Sequence, residues 1–173
     1  MHTNAGKSHH GGGSRRWFIG AAGVGVVAIA LPLWLRGRQR AAVRAALAAV
    51  GDDAELVVYK SPACECCGKW IAHVRSAGFP VRVVEQTDVT PVKERLHVPA
   101  SAYSCHTATI GAYVIEGHVP AADIVRLLRD RPSVAGLAAP GMPARAPGMD
   151  LGGPSYDVLS FGHDGALATF ATH

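Results

Sequence analysis

Downstream of residue 50, apolar positions come in short runs that alternate between two periods. Leu56 to Tyr59 is a short run of β type that ends just before a group of cysteines. Between Gly68 and Ala77, Trp70, Ile71 and Val74 recur at helical spacing, and Gly78 offers a C-cap. Val81 to Val84 is a second apolar strand. Pro91 to Leu96 reads as a short helix with Thr90 as N-cap and Pro91 at its first position. Thr107 to Glu116 carries β-branched residues interrupted by Gly111, which predicts two strands joined by a tight turn or one long bent strand. Pro120 opens a helix with Ile124, Val125, Leu127 and Leu128 on its apolar side, and the helix ends before Pro132. The predicted order is β-α-β-α-β-β-α. From Arg131 to Ser155 the chain is dense in Pro and Gly and reads as loop. Tyr156–Phe161 and Ala166–Ala171 flank Gly162-His163-Asp164-Gly165, a hairpin signal. No internal repeat is visible.

The first 50 residues follow a different pattern. Residues 1–13 are rich in Gly and His and are expected to be disordered. Their Gly6-Lys7-Ser8 lacks the upstream glycine of a phosphate loop. "SRRWFIG" at Ser14–Gly20 then leads into an uncharged run rich in Gly, Ala and Val that reaches Leu35. A basic segment followed by an apolar one reads as an export signal. The paired arginines before Trp17, Phe18 and Ile19 resemble the twin-arginine type, whose receptor passes folded proteins. The uncharged run from Trp17 is 19 residues long, close to the ~20 needed to span a bilayer as a helix. A small-residue cleavage site, Ala46-Leu47-Ala48, lies far beyond it, past Arg36, Arg38, Arg40 and Arg44. A cleaved signal and an uncleaved membrane anchor therefore both stand. The expected division is 1–50 for leader, anchor and linker, and 51–173 for one folded domain. That domain would lie in the periplasm or on the outer face of the inner membrane. His2, His9 and His10 would stay on the cytoplasmic side.

Charge supports this division. The chain of 173 residues has a net charge of +4. Residues 1–50 hold seven Lys/Arg and no acid, while residues 51–173 hold ten Lys/Arg against thirteen Asp/Glu, a balance of −3. The basic character belongs to the leader. The cations of the body are scattered and few aromatics interleave with them, which argues against nucleic acid as a partner. With 49% hydrophobic residues the body can form a packed core.

Three of the four cysteines lie within "SPACECCGKW", residues 61–70. Cys64 and Cys67 form a C-x-x-C pair at the end of a strand and the start of a helix. That arrangement, with the element order above, resembles the thioredoxin-like fold. Unpaired N–H groups and the helix dipole favour a thiolate there, whether for redox chemistry or for holding a metal. Cys66, inside the pair, would invite mispairing in a dithiol switch, whereas a soft-metal site can use it. The fourth cysteine comes in "SCHT", residues 104–107, ahead of the third strand. Cys105-His106 stands there where thioredoxin-like folds usually carry a proline, on the loop that faces the C-x-x-C pair. Met142 and Met149 lie in the long loop, and His118 follows the hairpin in "EGHVP". Thiolate and thioether ligands select Cu(I), while zinc takes thiolates and imidazole. The candidate ligands are Cys64, Cys66, Cys67, Cys105, His106, His118, Met142 and Met149. Two structural disulfides are the alternative, with Cys64–Cys67 and Cys66–Cys105 as the favoured pairs. His73, His97 and His163 receive no role.

"VYKSPACECCGKW", "AYSCHTATIGAYVIEGHVPAADIVRLL", "GLAAPGMPARAPGM" and "YDVLSF" together resemble a bacterial family of unknown function. Its members are described as predicted metal-binding proteins and often sit among copper-handling genes. The resemblance spans roughly Glu55 to Ala171. It implies a thioredoxin-like core and a metal, with copper favoured. It also implies ligand positions at Cys64, Cys67, Cys105 and His106, with the loop methionines Met142 and Met149, and Cys66 within the family's C-x-C-C pattern. It supplies no reaction. The leading expectation is an exported Cu(I)-binding protein that buffers copper, confers resistance or passes the metal to a copper-handling partner. Zinc is the second metal. A periplasmic thiol–disulfide oxidoreductase using Cys64 and Cys67 is the competing expectation.

Overall fold

A computed structural model describes residue 2, residues 22–51 and residues 54–173. The twin-arginine motif and nearly all of the Gly/His-rich segment lie outside the described residues. Among the described residues, no helix is long and apolar enough to cross a membrane. The chain divides into two compact units, residues 1–34 and residues 35–173. In the first, the described residues from Ala22 onward are helical.

The second unit is a mixed α/β domain. It begins inside helix α1 (Ala22–Ala48) and continues with β1 (Leu56–Lys60), α2 (Glu65–Ala77), β2 (Val81–Glu85) and α3 (Thr90–Arg95). A single 3-10 turn, Ala100–Ala102, precedes β3 (His106–Ile110) and β4 (Tyr113–Gly117). Then follow α4 (Ala121–Asp130), β5 (Gly136–Ala139), β6 (Asp157–Phe161) and β7 (Leu167–Thr172). The seven strands form one sheet in the order β2-β1-β3-β4-β5-β6-β7. β1 runs parallel to β2, and β4 runs parallel to β5; the remaining neighbours are antiparallel.

Side chains alternate across a strand, so the two faces can be separated by residue parity. One face carries Leu56, Val58, Ala108, Ile110, Ile115 and Leu137, packed with Trp70 and Val74 of α2 and Ile124, Leu127 and Leu128 of α4. Val43 and Ala46 of α1 join this core, with Leu47 and Val50 against it, on the i, i+3, i+4, i+7 spacing of one helical stripe. The other face carries Val114, Ala138 and Phe161 under Val98 and Ala102. Trp70 is fully buried, and its Nε1 donates to the Val119 carbonyl at 2.8 Å, fixing α2 to the segment that enters α4.

Most of the predicted elements are present within a residue or two. Gly111 lies in a turn between two strands, with φ at +55°. Gly78 closes α2 in the left-handed region, with φ at +111°. Two details differ. Thr90 does not cap α3; the helix is entered from Val89, and the Asp88 carboxylate accepts from the Thr90 N–H at 2.8 Å. The stretch read as uninterrupted loop contains β5, whose residues Gly136-Leu137-Ala138-Ala139 are all buried. A strand covered on both faces shows no apolar/polar alternation, and its small residues resemble loop composition.

The small size at β5 is required. A Cβ on Gly136 would lie 2.0 Å from the Val114 carbonyl oxygen of the neighbouring strand. Gly68, in the exposed first half of α2, has nothing within 4 Å of such a Cβ. Gly136→Ala is expected to destabilise the fold by about 1–3 kcal/mol through overpacking. Gly68→Ala is expected to stabilise it by about 0.5–1 kcal/mol through helix propensity. Urea unfolding midpoints of the two variants, moving in opposite directions from the parent, check both.

Candidate metal centre

The cysteine pair is placed by the start of α2. Cys64 is the N-cap residue, with extended backbone at φ −81° and ψ 95°, and its side chain makes no capping bond. Cys66 and Cys67 follow in the first turn, where backbone N–H groups lack helical partners and the dipole favours negative charge. Cys67 is fully buried and Cys66 half-buried. Cys64 and Cys67 are joined by a disulfide, while Cys66 and Cys105 are free. Of the two pairings expected under a disulfide reading, the first is formed and the second is not.

Cys105 arrives from the opposite direction, immediately ahead of β3. Its Sγ lies 3.5 Å from Cys67 Sγ and 3.9 Å from Cys66 Sγ, and Cys64 and Cys66 are 3.6 Å apart. The four sulfurs thus form one cluster with every ligand atom within 4.8 Å of the others. A second cluster shares Cys105 and adds two imidazoles, again within 4.8 Å. His118 Nε2 lies 3.0 Å, and His106 Nδ1 3.3 Å, from Cys105 Sγ.

The imidazoles are held by different means. His106 opens β3 on the α2 face, where its ring stacks obliquely on Trp70 with centroids 4.4 Å apart. His106 is fully buried and its Nε2 has no hydrogen-bond partner. His118 Nδ1 donates to the Pro147 carbonyl at 2.8 Å. A carbonyl can only accept, so Nδ1 carries the proton and Nε2 presents its lone pair toward Cys105. Backbone anchoring of one ring nitrogen is the usual way a ligating histidine is oriented.

The long loop lies close over the first turn of α2. Gly148 has φ at +87°, and a Cβ there would sit 2.6 Å from the Trp70 amide nitrogen and 3.1 Å from the Cys66 carbonyl oxygen. Met149 follows it and lines an open groove of about 440 Å³ with Cys64, Cys66, Lys69 and Leu151. Met142 is exposed elsewhere on the loop and does not line this groove. Cys64, Cys66, Cys67, Cys105, His106 and His118 are therefore brought together, Met149 flanks them, and Met142 stands apart.

Burial sets the protonation states. It pushes the Cys105 thiol up to about 12, with the neighbouring Cys66 adding to the effect. Burial holds His106 well below the ordinary imidazole range, reinforced by His118, Lys93 and Lys60. His118 is also lowered by burial, against the opposing pull of its Pro147 bond and of Asp150. Both rings are thus neutral near pH 7, the form in which imidazole binds metal. In the disulfide form Cys105 keeps its proton and can share it with His118 Nε2. A soft cation would replace that proton.

Sequence reasoning missed what lies behind the cluster. Glu116 is fully buried on the opposite sheet face and paired with Lys93 of α3, Nζ to Oε1 at 2.5 Å. Its Oε1 also accepts from the Ser104 N–H at 2.6 Å, and its Oε2 from the Thr107 hydroxyl at 2.7 Å. Lys93 donates to Thr107 as well, at 2.9 Å. The only signal was one acid inside the apolar run "YVIEGHV". His73, given no role, has a structural one: its Nε2 accepts from the Ala121 N–H at the start of α4.

The donor set suits a soft metal. It combines four cysteines with two neutral imidazoles, one of them carrying an orphaned buried nitrogen, and contains no carboxylate. The domain is thus of mixed α/β class, with a cysteine–histidine cluster that could hold a metal ion. Residues 102–149 match the family model described as "Protein of unknown function, DUF411". Two solved structures, both named copper resistance protein CopG, are each 40% identical to the chain. Form 2 matches over 69% of this chain and 98% of its own, with a TM-score of 0.66. Form 1 matches over 69% and 96%, with a TM-score of 0.65. No curated protein matches the chain. The chain belongs to this copper-associated bacterial family of unknown function.

Depressed imidazole pKa values make the fold sensitive to acid. The folded state keeps His106 and His118 neutral, whereas the unfolded chain protonates them below about 6.5. Stability is therefore fully present above 6.5 and falls as the pH drops below it. The urea midpoint at pH 5 is expected to lie below that at pH 7.5, and the loss should shrink in His106→Gln. An equal loss in the variant would contradict this assignment.

Proposed function

We propose that the protein binds Cu(I) through its cysteine–histidine cluster and serves copper resistance by buffering the metal or passing it on. The observation that carries this reading is the meeting of Cys64, Cys66, Cys67 and Cys105 in one cluster and of Cys105, His106 and His118 in a second that shares Cys105, with the ligand atoms of each within 4.8 Å of one another. The names of the two solved relatives support copper over zinc, as does Met149 beside the sulfurs. Zinc remains the second ion that thiolate and imidazole accept.

The metal-binding state is the reduced one. A thiol reductant supplies two electrons and two protons to the Cys64–Cys67 disulfide and frees both sulfurs. Loss of the thiol protons then yields thiolates, which α2's first turn favours. Cys67 and Cys105 form the inner pair, His118 Nε2 and His106 close the site from the strand side, and Cys64 and Cys66 lie toward the groove. Met149, which lines the groove, is a weaker entry ligand. When bound, the metal shields these thiols from oxidation.

The strand order β2-β1-β3-β4, with only β1 and β2 parallel, supports a thioredoxin-like core. Export through a twin-arginine signal would place the domain in the periplasm or on the outer face of the inner membrane, tethered there if the leader is kept. A copper-handling protein would then be the partner. The second reading is a thiol–disulfide oxidoreductase, favoured by the disulfide at the helix start with the Cys105 thiol 3.5 Å from Cys67.

Anaerobic titration of the reduced protein with Cu(I) against a competing chelator separates the two. Tight uptake is expected, weakened at least tenfold in Cys67→Ser and in Cys105→Ser. Insulin reduction at the rate of a dithiol enzyme, without metal uptake, would favour the oxidoreductase instead.

A further inference from the structure

The bonds of Glu116 bracket the Cys105-His106 pair. Its carboxylate takes one hydrogen bond from the backbone before Cys105, at Ser104, and one from the side chain after His106, at Thr107. The Ser104 bond lies outside β3 and contributes nothing to strand pairing. Thr107 and Glu116 are cross-strand partners in the β3–β4 register, so their mutual bond reinforces the position of β3 at its first turn of pleat. Lys93 reaches in from α3 and bonds both Glu116 and Thr107. Both carboxylate oxygens of Glu116 thereby have hydrogen-bond donors.

A buried ion pair of this kind adds little stability over a well-packed apolar pair of the same size. What it does supply is direction: a carboxylate accepting three separate donors fixes all three relative to itself. Two of those donors belong to the segment that presents Cys105 and His106. Because successive side chains point to opposite faces, fixing Thr107 on the α3 face fixes His106 on the α2 face.

We propose that Glu116 is a positioning residue of the metal centre: clamped by Lys93, it locks Ser104 and Thr107 and so sets where Cys105 and His106 present their donor atoms. The proposal rests on the metal-binding reading of the cysteine–histidine cluster. Residues that orient ligands in this way typically change metal affinity about 10- to 100-fold when altered.

The test uses the full chain, reduced and anaerobic, with two probes. Cu(I) affinity is measured against a chromophoric chelator, and Co(II) is added separately so that its sulfur charge-transfer and visible bands report ligand geometry. Glu116→Gln is expected to keep the far-ultraviolet circular dichroism of the parent, lose about tenfold or more in Cu(I) affinity, and shift the Co(II) bands. Lys93→Met/Glu116→Gln, which removes both charges at near-constant volume, should show the same two changes and covers the case in which the single variant fails to fold. Asp123→Asn removes a different buried carboxylate, the partner of His173 at 2.6 Å, and should lower stability without altering either metal readout. Folded Glu116 variants with parental affinity and parental Co(II) bands would overturn the proposal while leaving metal binding intact. A parent chain that takes up neither ion would overturn the metal-binding reading itself.

Discussion

The antiparallel pairing of β1 with β3 is the constraint on which the site depends. Lys60, the last residue of β1, lies opposite His106, the first residue of β3. The chain just after β1 and the chain just before β3 must therefore emerge at the same end of the sheet. Cys64 to Cys67 follow β1 and Cys105 precedes β3, so the register alone brings the two groups of thiols face to face. The remaining strands add to the same end. β4 runs antiparallel to β3 and delivers His118 there, and β5 runs parallel to β4 and launches the long loop from there. A slip of one residue in β3 would turn His106 away from Trp70 and move Cys105 off Cys67.

The energetics of this end of the sheet pull in two directions. Burying Cys67, His106 and His118, and part of Cys105, costs solvation, and the fold limits the cost by keeping Cys105 and the two imidazoles neutral. The Cys105 thiol is held protonated and both imidazoles are held unprotonated by burial. The same burial that suppresses charge in the disulfide form strengthens any metal–thiolate bond, because a cation and its thiolates attract more in a poorly solvated site. On the proposed function, reduction of Cys64–Cys67 would free two further sulfurs for a soft cation. On the opposite face, Lys93 and Glu116 form the one charged pair buried on both sides among the described ion pairs, and they lie directly behind the turn that must stay fixed.

Much of this was legible in the residues. C-x-C-C at the end of an apolar run and Cys-His at the start of the next antiparallel run predicted both halves of the cluster, because strand ends are readable from the change of period. Gly111 and Gly78 marked a turn and a helix end for reasons of backbone conformation. Three things were not legible. β5 is small and wholly buried, so it lacks the alternation that announces a strand. Lys93 sits in "TPVKER", which reads as an ordinary solvated helix, and only the fold aims it at Glu116. Under a disulfide reading the spacing of the four cysteines favoured two pairs, and it did not tell that Cys64–Cys67 is formed while Cys66 and Cys105 stay free.

X-ray absorption at the copper edge tests the central claim most directly. The reduced chain loaded with Cu(I) should show a first shell dominated by sulfur with an imidazole contribution, and the sulfur signal should fall when Cys67 and Cys105 are both replaced by serine. A first shell of nitrogen and oxygen alone, unchanged by that double replacement, would contradict it.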